Sequence, residues 1–137
     1  MELIINTDGA SRGNPGPASY GYIIRSSDGV IQHQEGKTLG INTNNFAEYT
    51  AVLRAFEYVN EYLNHKGPHK IKVIADSMLV IQQLSGKFKL KSPTLKLIFD
   101  QIKSLEMELG NVTYEHTRRE NNFIADRLAN QALDRER

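Results

Sequence analysis

The stretch Leu3-Ile4-Ile5-Asn6-Thr7-Asp8-Gly9-Ala10-Ser11-Arg12-Gly13-Asn14-Pro15-Gly16 holds the start of a fold and the start of a site. Its first half is an apolar run of strand length, and residues 2–8 read as a buried strand. Its second half is rich in Gly and Pro, which predicts a turn over residues 11–19. Asp8 falls at the junction. A carboxylate beside buried apolar residues is costly unless something pairs it. Beyond the turn, residues 20–25 and 30–37 read as strands around Ser26-Ser27-Asp28-Gly29, where Asp-Gly is a strong hairpin signal. Three strands joined this way predict an antiparallel meander.

Thr43 is a good cap for a helix that follows. Residues 45–63 contain no Gly or Pro, and Phe46, Tyr49, Val52, Leu53, Phe56, Val59 and Tyr62 recur at three- and four-residue spacing. That spacing predicts one long helix with a broad apolar face. Residues 65–69 lead out of it as a loop. Residues 70–75 are a short β-branched run, hence an inner strand, and Asp76-Ser77 leads into a short helix ending at Leu84. Residues 85–92 carry three lysines and little periodicity. Pro93 opens a further helix at its tolerated first turn, striped by Leu95, Ile98, Phe99, Ile102, Leu105 and Leu109. Residues 111–115 read as a last strand. Residues 121–133 read as a last helix, with Ala125, Leu128, Ala129 and Ala132 facing inward. The order β-β-β-α-β-α-α-β-α predicts an α/β fold: a five-stranded mixed sheet, three antiparallel strands then two parallel, flanked by helices. No linker, repeat or low-complexity tract divides residues 1–137, which read as a single domain.

Composition narrows the function. Hydrophobic content of 39% with 24% charged residues fits a soluble globular chain, and no stretch approaches the length of a membrane span. The first residues carry no basic region, so they do not read as a signal peptide. Without cysteine, disulfides and thiolate metal sites are excluded, and a cytoplasmic location is expected. The formal charge is +1, but neutralising four of the 16 acids would leave a clear excess of the 17 Lys and Arg, enough to present a basic face to a polyanion.

Four acids share the placement of Asp8, each close to the end of an element on an apolar background: Asp8, Glu48, Asp76 and Asp126. Each one alone reads more often as a cap or turn former, and Glu48 as a capping-box neighbour on the solvent side. Brought together they need a counter-charge, and hard carboxylate oxygens suit Mg2+ or Mn2+ rather than zinc. Two such ions would support in-line displacement at phosphorus. The Gly-rich segment matches neither the nucleotide phosphate loop nor the dinucleotide fingerprint, which removes ATPase and dehydrogenase readings.

Taken together, residues 7–17, Thr43-Asn44-Asn45-Phe46-Ala47-Glu48, Ala75-Asp76-Ser77, and His116 through Ala125-Asp126-Arg127-Leu128-Ala129 resemble ribonuclease HI, over essentially the whole length of the chain. The resemblance implies the ribonuclease H-like fold and endonucleolytic hydrolysis of the RNA strand of RNA/DNA hybrids, leaving 5′-phosphate and 3′-hydroxyl ends. It implies two Mg2+ ions, with Mn2+ as a substitute. Asp8 would bridge them, Asp126 would join it on the nucleophile side, and Glu48 and Asp76 would hold the leaving-group side. His116 matches the family's mobile-loop histidine, an aid to proton transfer or product departure. Its plain alternative is a surface histidine at a strand end. His33, His65 and His69 read as surface residues. Gly13, Asn14, Asn44 and Asn45 correspond to residues that contact the hybrid's minor groove, where short amides reach the 2′-hydroxyl. Thr43 resembles part of a pocket for a DNA-strand phosphate.

The chain departs from many family members at residues 85–92, too short for their extra basic helix and loop. It resembles the shorter branch without that handle, in which Lys87 and Lys89 would grip the DNA backbone with Phe88 packing on a sugar. Phe46 stands where the phosphate pocket often has Arg, and Arg118 and Arg119 could compensate. The partner expected is an RNA/DNA hybrid, bound by a monomer with no membrane contact. The alternatives are a nuclease of the same fold that also cleaves double-stranded RNA, a non-catalytic hybrid-binding domain, or a recombinase of the same fold.

Overall fold

The computed structural model describes residues 1–64 and 69–136. Its five strands are β1 (Glu2–Ser11), β2 (Gly16–Ser26), β3 (Ile31–Asn42), β4 (Lys70–Ala75) and β5 (Asn111–His116). Its helices are α1 (Asn44–Tyr58), α2 (Met78–Leu84), α3 (Pro93–Leu109) and α4 (Phe123–Arg135). The strands form one sheet in the order β3-β2-β1-β4-β5. β1 pairs antiparallel with β2, and β2 with β3; β1 pairs parallel with β4, and β4 with β5. This is the predicted mixed sheet.

Alternation along β1 assigns the two faces. Leu3 and Ile5 point into the main core with Tyr22 and Ile24 of β2, Tyr49, Val52 and Phe56 of α1, and Ile98 and Ile102 of α3. The opposite face is covered by α4. There the backbone of Gly21 comes so close that a Cβ would press on the Ala125 carbonyl and lie 2.8 Å from the Ala129 nitrogen. Each large apolar side chain fully buried in the core contributes about 1.5–3 kcal/mol. That gain offsets the cost of holding charged groups beside the middle strands of the sheet.

Several boundaries move relative to the sequence reading. β1 continues three residues past Asp8, and β2 begins at Gly16 rather than Tyr20. Pro17 is tolerated because the β1 register ends at Ser11 opposite Ala18, so no β1 partner faces it there, and its carbonyl accepts from the Arg12 N–H at 2.8 Å. β3 runs on to Asn42. The long helix changes to a π-turn over Val59–Leu63. The extra residue in that turn shifts the apolar face, so Leu63 is buried while Tyr62 is 54% exposed, against expectation. His69 was expected on the surface. It is buried, with Nε2 2.8 Å from the Leu63 carbonyl, because it lies beside the start of the inner strand β4. His33 is half-buried and stacks on Tyr58 with ring centroids 3.9 Å apart. His65 lies outside the described residues. Among the described residues no helix is long and apolar enough to cross a membrane.

Candidate active site

Strand register explains why acids meet here. On its β4 side, β1 is paired only as far as Thr7 opposite Ala75. Asp8 and Asp76 are the next residues on each strand, so their carboxyls lie side by side where the parallel ladder opens. Asp8 remains tied to β2 opposite Gly21, which keeps it rigid, and its Oδ1 accepts from the Gly9 N–H at 2.9 Å. Asp8 was expected at the strand's end, but it lies within β1. What ends at Asp8 is the parallel pairing.

Glu48 comes from α1, one turn in. Thr43 starts that helix, with its Oγ1 accepting from the Phe46 N–H at 3.2 Å. The helix can press against β1 because residue 9 is Gly: a Cβ there would collide with the Glu48 backbone nitrogen and lie 2.8 Å from the Ala47 Cβ. Carboxylate oxygens of Asp8, Glu48 and Asp76 all lie within 4.8 Å of one another. Glu48 is 3% exposed, and its Oε2 has no hydrogen-bond partner among the described residues. A buried, unpartnered carboxylate oxygen beside two further acids is the donor set of a hard divalent cation.

The electrostatics agree. Burial, then the Asp76 charge, pushes the Asp8 carboxyl from 3.8 up to about 8. Burial and the neighbouring Asp8 and Asp76 charges hold Glu48 well above its ordinary range. Burial also raises Asp76, against opposing pulls from Asn122 and Arg119. Like charges this close cannot all ionise without a cation.

Asp126 stands beside this triad, on the first turn of α4. It borders the same cavity of about 460 Å³ as Asp8, Glu48 and Asp76, and its charge adds to the upward push on Asp8. Its Oδ1 accepts from Asn130 at 3.2 Å and faces Arg119 at 3.7 Å. Arg119, Asn14 and Asn44 border the cavity too. Asn14 Oδ1 accepts from the Asn44 backbone N–H at 3.0 Å, which joins the Gly-rich turn to the start of α1. Gly13 makes that turn possible with φ +99°, a conformation that disfavours any side chain.

The remaining sequence candidates lie close by but outside the acid cavity. Asn45, Lys87 and Lys89 line a separate cavity of about 520 Å³ with Phe88, and consecutive residues Asn44 and Asn45 face the two cavities in turn. His116 is the last residue of β5 rather than part of a loop, with its Nε2 3.2 Å from the Asp76 carbonyl. Sequence reasoning missed four residues at or beside the site: Asn6, Arg12, Asn122 and Asn130. Asn6 and Asn122 did leave a signal. One lies two residues before Asp8 on the same strand face, and the other lies one helical turn before Asp126.

A mixed sheet of this order, with carboxylates gathered where β1 and β4 part and a helix closing over each face, defines the ribonuclease H class of fold. The sequence matches the family described as reverse transcriptase-like over residues 6–132. LC11-RNase H1, isolated from compost and solved in complex with an RNA/DNA hybrid, superposes with a TM-score of 0.93 at 39% identity, covering 98% of each chain. The RNase H1 of the archaeon Halobacterium salinarum gives 0.89 at 38% identity, over 98% of this chain and 99% of that one. A bifunctional protein of Mycobacterium tuberculosis is 36% identical over 135 residues. Its N-terminal RNase H domain superposes with a TM-score of 0.90. The match takes in 98% of this chain but 36% of that relative, so the chain spans about a third of the relative's length. The chain belongs to the type 1 ribonuclease H family.

Proposed function

We propose that the protein hydrolyses the RNA strand of RNA/DNA hybrids endonucleolytically, leaving 5′-phosphate and 3′-hydroxyl ends. The observation that carries this reading is the convergence of the Asp8, Glu48 and Asp76 carboxylates within 4.8 Å, with a Glu48 oxygen that no protein donor satisfies. The hybrid found with LC11-RNase H1 supports the choice of substrate. Two Mg2+ ions, or Mn2+ in their place, would supply an activated water and charge neutralisation at the scissile phosphate.

The chain's own residues do the rest. Asp8, Glu48, Asp76 and Asp126 would hold the ions, with Asp8 common to both, Glu48 and Asp76 serving the leaving-group side and Asp126 the nucleophile side. His116, whose Nε2 lies 3.2 Å from the Asp76 carbonyl, would move a proton or help product leave. Asn14 and Asn44, fixed to each other, present short polar groups at the cavity's rim for the 2′-hydroxyl, with Gly13 allowing close approach and Asn45 extending the contact. Arg119 stands at the acid cavity, and Lys87 and Lys89 stand at its neighbour. Both positions suit phosphates of the two strands, with Thr43 at the intervening helix start.

Cleavage of end-labelled RNA/DNA, RNA/RNA and DNA/DNA duplexes with Mg2+, Mn2+ or EDTA tests the proposal. The expected result is metal-dependent cleavage of the RNA in the hybrid. Equal cleavage of RNA/RNA would establish a broader nuclease, and an intact hybrid under all conditions would leave a binding domain.

A further inference from the structure

An amide in the middle of a buried strand is an expensive choice unless it is used. Asn6 is 8% exposed, and Asn122 is 1% exposed. Asn6 Nδ2 donates to Asn122 Oδ1 at 3.0 Å, and Asn122 Nδ2 donates to the Thr7 carbonyl at 2.8 Å. Arg25 Nη2 donates to Asn6 Oδ1 at 3.0 Å. Every bond runs in one sense, from guanidinium through two amides to the backbone just before Asp8. Because Asn6 must accept from Arg25, its N–H faces Asn122, and Asn122 must then turn its own NH2 toward β1. Asn122 also precedes α4, where Asn ordinarily caps the helix through its side chain. Here it makes no such cap; only its backbone carbonyl engages the helix, accepting from the Asp126 N–H at 3.2 Å.

We propose that Asn6, oriented by Arg25, is a positioning residue that locks the Asn122 amide and thereby sets Asp76 and Asp126 relative to Asp8 for metal binding. Asn122 reaches both acids. Its side chain lies against the Asp76 carboxyl, and its backbone begins the turn that presents Asp126. The inference rests on the reading of the acid cluster as a metal-dependent hydrolase site.

Asn6→Asp preserves shape and the acceptor for Arg25 but removes the N–H that Asn122 Oδ1 accepts. Two acceptors would then face each other. The Asn122 amide would turn over and set its oxygen against the Thr7 carbonyl and the acids. Residues behind metal ligands typically change metal affinity or activity roughly 10- to 100-fold when altered. Calorimetric titration with Mn2+, without nucleic acid, should therefore show Asn6→Asp binding about tenfold more weakly or worse. On the hybrid, kcat should fall while KM holds. An added charge acting through space alone would tighten cation binding, so the sign separates the two effects.

Arg25→Met should move Mn2+ affinity in the same direction, and Arg25→Lys, which keeps a donor, should largely restore it. A folded Asn6→Asp with wild-type Mn2+ affinity and kcat would overturn the proposal. If that variant does not fold, equal Mn2+ affinities in Arg25→Met and Arg25→Lys would overturn it. Wild-type protein that binds Mn2+ but leaves the hybrid intact would sink the hydrolase reading alone. Wild-type protein that binds no Mn2+ would overturn both.

Discussion

At Asp8, burial and the charges of Asp76 and Asp126 outweigh a hydrogen bond with Glu48, and the carboxyl rises to about 8. Its protonated form is favoured in the fold and its ionised form in the unfolded chain. The stability gained from that difference is complete below about pH 4 and lost as pH rises through about 8. Urea unfolding in EDTA should therefore show a midpoint that falls between about pH 5 and about pH 9. Mg2+ should raise the midpoint most at the upper end, where the acids are ionised and can bind it. A midpoint independent of pH in EDTA would mean that the cluster's charges are already compensated. His116 makes a different contact, its Nε2 lying 3.2 Å from the backbone carbonyl of Asp76. A placed proton-transfer group contributes roughly 100- to 10,000-fold, and an auxiliary one sits at the low end. His116→Ala should lower turnover about 100-fold with little change in hybrid affinity. The reverse pattern, affinity lost and turnover kept, would make it a phosphate contact.

Among the elements, the contact between β1 and α1 controls Glu48. Gly9→Ala would drive a methyl group into the backbone of Ala47 and Glu48, which cannot yield without moving the helix. Overpacking of this kind costs about 1–3 kcal/mol. Thermal melts should show that loss, and Mg2+ should stabilise the variant less than the wild type because Glu48 is displaced. A variant as stable and as metal-responsive as the wild type would show that α1 is free to shift. Most elements were legible because their signals are local: the Asp28-Gly29 hairpin, the cap Thr43, Pro93, and the β-branched run of β4. The four acids were legible because apolar neighbours made them conspicuous. Tertiary register was not. Pro17 hid the start of β2, since nothing in the sequence reveals where the β1 pairing stops. The π-turn that buries Leu63 instead of Tyr62 leaves no mark in the apolar spacing. Asn6 and Asn122 were passed over because their pairing spans most of the chain.

For the whole molecule, a formal charge of +1 conceals an uneven distribution, with acids collected in one cavity and Lys87, Lys89 and Lys91 at its neighbour. Each lysine–phosphate contact contributes a slope of about 0.9 to the logarithmic salt dependence of duplex binding. Lys87→Ala combined with Lys89→Ala should weaken hybrid binding, measured in Ca2+ to suppress turnover, and flatten that slope by up to about two. An unchanged slope would move the duplex contact to Arg118, Arg119 or another patch. If the buried acids act by holding metal for cleavage of the RNA strand, single-turnover cleavage of a hybrid by wild type and Asp8→Asn across a Mg2+ titration must tell the two proteins apart. Metal-assisted charge stabilisation is worth several kcal/mol, so Asp8→Asn should be slower by at least about 1,000-fold at every Mg2+ concentration. Its metal-free melting temperature above about pH 8 should equal or exceed that of the wild type, since one buried charge is gone. Near-normal cleavage by Asp8→Asn at saturating Mg2+ would contradict the account.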